Sequence, residues 1–374
     1  MDPQVLLKNY NYQQLTIAAL GGHSALEVCR GAKQQGLRTL VIAKKGREKT
    51  YTQYFKFDPI TQTGCVDEVI LVTDFADILQ PAIQERLRAA NALMVHSRYF
   101  WVYFPDFAKI EQDFQVPVLG ARQLLRLEER DQTPNQYTVL REAKIRLPRI
   151  FAQAAEIDCL TLTKIPSKVR KYERANFFAR SPQEWEAIKE QKLAAGEIEE
   201  AGLQKAVIEE FILGAPINFN FFYSALSQRL ELLGTDTRRQ TNLDGVLRLP
   251  APMQLQLGAN FQPTHIETGH LPATVKESLL EKALVAGEKF VAACQKFQSR
   301  GIFGPFALQG AIATDGQREE LVIFDVSFRM PGSPGILATP YANYLFGRPV
   351  SLGERISLEV KRAVQADRLA EIIS

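Results

Sequence analysis

The chain has 374 residues, 46% of them hydrophobic and 23% charged, with a formal net charge of +3. That length calls for two or three packed subdomains rather than one core. The near-balanced charge excludes a nucleic acid or a membrane surface as a partner recognised by bulk electrostatics, and no apolar run approaches the roughly 18 residues of a membrane span. The opening residues, MDPQVLLKNYNYQQLTIAAL, lack the basic start and long apolar stretch of a signal peptide. Cys29, Cys65, Cys159 and Cys294 are scattered without C-x-x-C spacing. This argues against a zinc site and a disulfide framework and fits free thiols in a reducing, cytoplasmic setting.

In chain order, LTIAAL (15–20) reads as a buried strand that ends in Gly21-Gly22-His23-Ser24. ALEVCRGAKQQGL follows with helical spacing of its apolar residues, and TLVIAKK (39–45), EVILV (68–72) and NALMVH (91–96) are further strands. Buried runs alternating with helical segments predict a doubly wound parallel sheet. Beyond about residue 125 the rhythm changes. QYTVLREAKIRLPRIF reads as a helix stopped at Pro148, LTLTKI (160–165) as a strand, and SPQEWEAIKEQKLAAG as a helix opened by Ser181 and Pro182. AVIEEFIL, INFNFFYSAL and LELLGTDT predict a more antiparallel region, followed by an amphipathic helix over 277–297. GPFALQGAIA and ELVIFDVSFR form a strand pair around the turn TDGQR, and the C-terminal ISLEVKRAVQADRLAEII is helical. The expected fold class is α/β (α+β), with units over 1–125, 126–214 and 215–374.

Four segments could carry chemistry. The Gly21-Gly22-His23-Ser24 turn between strand and helix offers backbone N–H groups to an anion, although Ser24 could be only the N-cap. Gln309 and Asp325 each interrupt an apolar strand, where such groups are costly unless paired or bound to a metal. Two oxygen donors on adjacent strands suit Mg²⁺ when phosphate and water complete its octahedron. Asp325, Ser327 and Arg329 alternate and so share a face, which is either a phosphate-site arrangement or a solvated sheet surface. VIEEFILG (207–214) reads as an edge or hinge strand whose Glu209 and Glu210 could meet an adenine, or as a surface strand. KIPSKVRKYER holds five basic residues, Lys164, Lys168, Arg170, Lys171 and Arg174, as a phosphate clamp or a solvated loop.

Taken in order, IAALGGHSALEVCRGAKQQGLRT, KKGREKTY, LREAKIRLPRIF, IEEFILGAPINFNFFYS, LELLGTDTRRQTNLDGVLRLPA, ESLLEKALVAGEKFV, GPFALQGA and FGRPVSLGERISLEVKRAV resemble the archaeal-type formate-dependent FAICAR synthetases. The resemblance implies an ATP-grasp fold and an ATP-dependent ligase of purine biosynthesis that formylates AICAR with formate through formyl phosphate. It implies AICAR contacts at His23, Ser24, Ser97, Arg238 and Asn242, and ATP contacts at Lys164, Glu209, Glu210 and Arg329. Mg²⁺, or Mn²⁺, would be held by Gln309 and Asp325, the latter standing where the family has Glu. A homo-oligomer is implied as well.

The chain also departs from the family. Ser167–Arg174 contains no glycine where the family has a glycine-rich loop over the phosphates. Thr138 replaces a lysine, Gly332-Ser333-Pro334-Gly335 replaces a GGTN-like ending, and His96-Ser97-Arg98-Tyr99 stands for an HGSF-like motif. Two other readings stay open: a non-catalytic paralogue that binds an AICAR-like nucleotide, and an ATP-grasp ligase for another carboxylate and amine.

Overall fold

The computed structural model describes residues 1–104, 106–130, 132–165, 176–257, 267–314 and 316–374, apart from the side chains of residues 101, 102, 241 and 242. The basic residues Lys168, Arg170, Lys171 and Arg174 lie outside the described residues.

The N-terminal third folds as the alternation of apolar runs predicts. β1 (Thr16–Leu20), α1 (Ala25–Gln34), β2 (Arg38–Lys44), β3 (Glu68–Val72), α2 (Pro81–Ala89), β4 (Ala92–Val95) and β5 (Val118–Leu119) build an all-parallel sheet in the order β3-β2-β1-β4-β5. Both faces are covered, so adjacent residues serve different cores. Ile17, Ala19, Val41 and Val95 pack toward α1, whereas Ala18, Leu20, Ile42 and Met94 pack toward the opposite layer. β5, only two residues long, carries no readable period.

After α3 (Gln136–Glu142), β6 (Ile150–Phe151), β7 (Thr161–Lys164), β8 (Phe177–Ala179), α4 (Pro182–Ala194) and β9 (Val207–Glu210) form a small antiparallel sheet in the order β6-β9-β7-β8. Ser181 caps α4 as expected, its side chain accepting from the Glu184 N–H at 3.2 Å. Of the sequence readings of β9 as an edge or hinge strand or as a surface strand, the edge position is excluded. β9 lies between β6 and β7, so its backbone groups are spent on both neighbours.

The third sheet contains β10 (Ala215–Ser224), β11 (Arg229–Gln240), β12 (Glu267–Pro272), β13 (Gly304–Thr314) and β14 (Glu319–Ser327), antiparallel in the order β12-β11-β10-β13-β14. α5 (Thr241–Val246) follows β11, and α6 (Glu277–Cys294) packs Ala283, Phe290 and Cys294 on the apolar face of the sheet with Phe221 and Phe306. α7 (Leu352–Gln365) returns to the first sheet, where Leu352, Ile356 and Val360 join the core beneath α1. Among the described residues no helix is long and apolar enough to cross a membrane.

Candidate functional site

The polar face of the third sheet organises the site. Register pairs Asp236 with Asn218, Asn218 with Gln309, and Gln309 with Asp325. One lateral row thus crosses β11, β10, β13 and β14. Two residues along, on the same face, are Asn220, Arg238 and Ser327, with Arg238 opposite His270 of β12. The other face carries Phe219, Phe221 and Leu308 into the core, so burial of these apolar residues fixes the direction of every polar one.

Asp325 is the electrostatic centre of the row. Its Oδ1 accepts from Arg130 Nη2 at 2.6 Å and its Oδ2 lies 3.9 Å from Arg238 Nη2. Burial alone would raise the carboxyl pKa, yet the charges of Arg130, Arg238, Lys164 and Arg329 hold it at about 2. Gln309 Oε1 accepts from Arg238, and Gln309 Nε2 donates to Ser327 Oγ at 2.8 Å.

Lys164, at the end of β7, crosses to this sheet. Its ammonium pairs with Glu209 and donates to the Phe324 carbonyl at 3.4 Å, beside Asp325. Burial lowers its pKa against the pull of Glu209. Tyr137 donates to Glu209 Oε2 at 2.8 Å and accepts from Arg130 Nε at 3.1 Å, which links Lys164, Glu209, Tyr137, Arg130 and Asp325 in one chain. Arg329 lies just beyond β14, with its Nε 3.3 Å from Glu128 Oε1, and burial lowers its pKa. The cluster is therefore assembled from the second and third sheets, from α3 and from the segment before it.

A second group adjoins it through Arg238, whose Nε stands 3.3 Å from Glu267 Oε2. Glu267 Oε1 faces His23 Nε2 at 3.1 Å and His270 Nε2 at 2.8 Å. His270 Nδ1 bonds the fully buried Asp236, which also accepts from Asn218 Nδ2 at 2.9 Å and Asn220 Nδ2 at 2.6 Å. Burial opposes charge on His270, but the bonds to Asp236 and Glu267 raise its pKa to about 9. Burial likewise opposes charge on Glu267, yet His23, His270 and Arg238 together lower its pKa.

The sequence-predicted residues distribute as follows. Gln309, Asp325, Lys164, Glu209, Arg238 and Arg329 converge in the first group, and His23 lies in the second. Glu210 does not join them. It alternates to the other face of β9, where its carboxylate accepts from the Arg149 N–H at 3.1 Å and lies 3.4 Å from Arg146. Ser97 is half-buried and accepts locally from the Tyr99 N–H at 3.4 Å. Asn242 lies in α5, and its side chain is outside the described residues.

One reading of the first turn is corrected. Ser24 occupies the N-cap position without capping, because its hydroxyl donates to the Pro331 carbonyl at 3.2 Å. Gly22 is required by close packing, because the Tyr99 ring lies where a Cβ would stand, 1.9 Å away. Gly332 is constrained in the same way, with His23 Cδ2 1.7 Å from its absent Cβ. Thr138, which stands where the resemblance implied a lysine, closes a capping box with Asn135 instead.

Sequence reasoning passed over Arg130, Tyr137, Glu128, Glu267, His270 and Asp236. The available signal was the alternation of Asn218 and Asn220 in INFNFF, which places two amides on one face of an otherwise apolar strand. Chemically, the site offers a half-buried row of cations to an anionic ligand and two hard oxygen donors within reach of it.

A family model described as a domain of unknown function, DUF1297, matches residues 184–374, and one described as a protein of unknown function, DUF1246, matches residues 17–151. The 5-formaminoimidazole-4-carboxamide-1-(beta)-D-ribofuranosyl 5'-monophosphate synthetase of Methanobrevibacter smithii is 34% identical over 372 residues, 99% of this chain and 97% of that one. The enzyme of the same name from Methanopyrus kandleri is 34% identical over 369 residues, 99% and 98% of the two chains. Among solved structures, the IMP biosynthesis protein PurP from Thermococcus kodakaraensis superposes with a TM-score of 0.70 at 24% identity, covering 96% of this chain and 100% of that one. The ADP complex of an N5-carboxyaminoimidazole ribonucleotide synthetase superposes at 0.59 and 13% identity, covering 90% and 78%. The architecture shared with these proteins is the ATP-grasp fold.

Proposed function

We propose, on the premise that this chain belongs to the 5-formaminoimidazole-4-carboxamide-1-(beta)-D-ribofuranosyl 5'-monophosphate (FAICAR) synthetase family, that it joins formate to AICAR at the expense of ATP in the formation of IMP. The observation that carries this reading is the single guanidinium of Arg238, which touches Gln309 and Glu267 and so links the cationic row to the His23 group. A phosphoryl-transfer centre and a substrate-recognition centre one side chain apart are what a ligase with a phosphorylated intermediate requires.

In the reaction, a formate oxygen takes the γ-phosphoryl group of ATP, releasing ADP and leaving formyl phosphate. The exocyclic amine of AICAR then attacks the formyl carbon. The carbon–oxygen bond to phosphate breaks and the amine loses a proton, giving FAICAR and phosphate. Lys164, Arg130 and Arg329 would neutralise the phosphoryl group as charge develops on its oxygens, so catalysis is mainly positioning and electrostatics. Glu209 and Tyr137 hold Lys164 and Arg130 in place for this.

The donor chemistry fits magnesium. A carboxylate and an amide oxygen stand opposite each other on β14 and β13, and hard oxygens are what Mg²⁺ selects. Asp325 and Gln309 would hold the ion, which when bound screens the charge of the nucleotide phosphates. Asp325 Oδ1 and Gln309 Oε1 accept from Arg130 and Arg238, and an ion held by these atoms would leave the two arginines to the anionic ligands. His23 and Arg238 would meet the AICAR phosphate or base, with Asn242, Ser24 and Ser97 beside them.

The test is ADP release dependent on both formate and AICAR, measured in wild type and Asp325→Asn. Release by the wild type that is lost in the variant supports the ligase. Intact AICAR binding by calorimetry without any release at any salt concentration would overturn it in favour of a non-catalytic nucleotide-binding paralogue.

A further inference from the structure

The ligase reading takes His23 to the AICAR side of the site but gives no role to the way Glu267 Oε1 joins it to His270. One donor atom from each lies within 4.8 Å of the other two, with Glu267 Oε1 facing Nε2 of both histidines. The two nitrogen–oxygen separations are 3.1 and 2.8 Å. Three donors bonded to one ion at about 2.1 Å stand about 3.0 Å apart at right angles and about 3.4 Å apart in a tetrahedron. The two measured edges match the first spacing and need to open by a few tenths of an ångström for the second.

The surroundings of the three residues are those of a ligand set. His270 gives Nδ1 to Asp236, which is fully buried and itself fixed by two asparagine amides. A histidine held by a carboxylate at one ring nitrogen presents the other in a fixed direction, and this is the usual outer support of a metal-bound imidazole. Glu267 is steadied in the same way, its second oxygen facing Arg238 at 3.3 Å. His23 arrives from the first sheet and is partly exposed, which leaves a path for an ion to enter.

We propose that His23, Glu267 and His270 form a binding site for a first-row divalent transition ion of the zinc or cobalt kind. It is distinct from the all-oxygen magnesium position at Gln309 and Asp325. Two imidazoles and one carboxylate bind such ions in preference to magnesium. Three protein donors on one face leave the other positions for water or for an oxygen of an anionic substrate. Because His23 belongs to the first sheet and the other two residues to the third, the ion would also tie these units together.

The experiment uses the intact protein, stripped with a chelator, and titrates it with Co²⁺ in excess Mg²⁺. Visible absorption reports imidazole coordination, and calorimetry with Zn²⁺ gives the stoichiometry. The expected result is one ion per chain, with binding weakened at least 100-fold in His270→Gln and in His23→Gln. Asp236→Asn should weaken it 10- to 100-fold, the usual loss when the carboxylate behind a ligating histidine is removed. Asp325→Asn should bind Co²⁺ as the wild type does. His23 is partly exposed, so its variant tests the proposal even if His270→Gln fails to fold. Absence of Co²⁺ and Zn²⁺ uptake by the wild type would overturn the proposal. So would uptake that survives both histidine substitutions and disappears when the cysteines are blocked. None of these readouts depends on turnover, so the ligase reading and the metal site stand or fall separately.

Discussion

His96 makes the protein acid-sensitive in a way that one substitution should remove. The ring is fully buried at the end of β4, and neither of its nitrogens has a hydrogen-bond partner among the described residues. Burial, reinforced by the positive charges of Arg329 and Arg122, lowers its pKa from 6.5 to about 3. The folded protein therefore refuses a proton that the unfolded chain accepts. The sign follows from linkage: the cost is zero above pH 6.5 and grows as pH falls toward 3. At about pH 5 the gap is roughly 1.5 pH units, which at about 1.4 kcal/mol per unit amounts to about 2 kcal/mol. His96→Leu removes the titration together with two unpartnered nitrogens. Near pH 7.5 its stability should lie within about 1 kcal/mol of wild type, since an apolar group replaces an unsatisfied polar one. Near pH 5 it should exceed wild type by about 2 kcal/mol. Urea unfolding followed by tryptophan fluorescence at both pH values gives the comparison, and the contributions of other titrating groups cancel in the difference. If wild type and variant lose stability in parallel between the two pH values, His96 is not the group responsible.

Four further outcomes are expected. Arg355→Met should cost about 3–5 kcal/mol in urea unfolding, because it strips the buried guanidinium that bonds Glu231 at 2.5 Å and Glu359 at 2.8 Å; a loss below about 1 kcal/mol would contradict this. Tyr137→Phe removes the hydroxyl shared by Glu209 and Arg130 and should raise the KM for ATP about tenfold, in line with a hydrogen bond to a charged group; an unchanged KM would free that hydroxyl of any role. Gly332→Ala should weaken AICAR binding in calorimetry, since the new methyl occupies the space of the His23 ring; equal affinity would show that His23 does not serve the nucleotide. Lys164→Met should abolish ADP release while AICAR binding persists, and retained turnover would remove Lys164 from the phosphoryl centre.

The parts legible in the sequence were those with short-range signals. β1 to β4 are apolar runs separated by turn residues, and burial on both faces of a parallel sheet demands such runs. Gln309 and Asp325 stood out because an amide and a carboxylate inside apolar strands need a reason. What stayed hidden depends on register. Arg130 is 195 residues from Asp325, and Tyr137 is 72 from Glu209, so neither pairing leaves a local trace. β12 was missed because Gly269 and Pro272 break the alternation that marks a strand. The interior position of β9 was missed because its second neighbour, β6, has only two residues. α7 shows its amphipathic face plainly, but that pattern does not say which sheet receives it.

The charge pattern of the site explains why its residues look unremarkable one at a time. Arg130 and Arg238 are set against Asp325, Lys164 against Glu209, Arg329 against Glu128, and Arg238 again against Glu267. Each cation is matched by a carboxylate, so the folded chain buries a strongly charged row without leaving a bare ion. An anionic nucleotide entering such a row competes with carboxylates rather than filling an open positive pocket. A divalent ion arriving with the nucleotide would change the balance, since Asp325, if it held the ion, would release arginines to the phosphates. The pairing that stabilises the protein would thereby also make nucleotide affinity conditional on the metal, as the metal and the arginines would compete for the one carboxylate at the centre of the row.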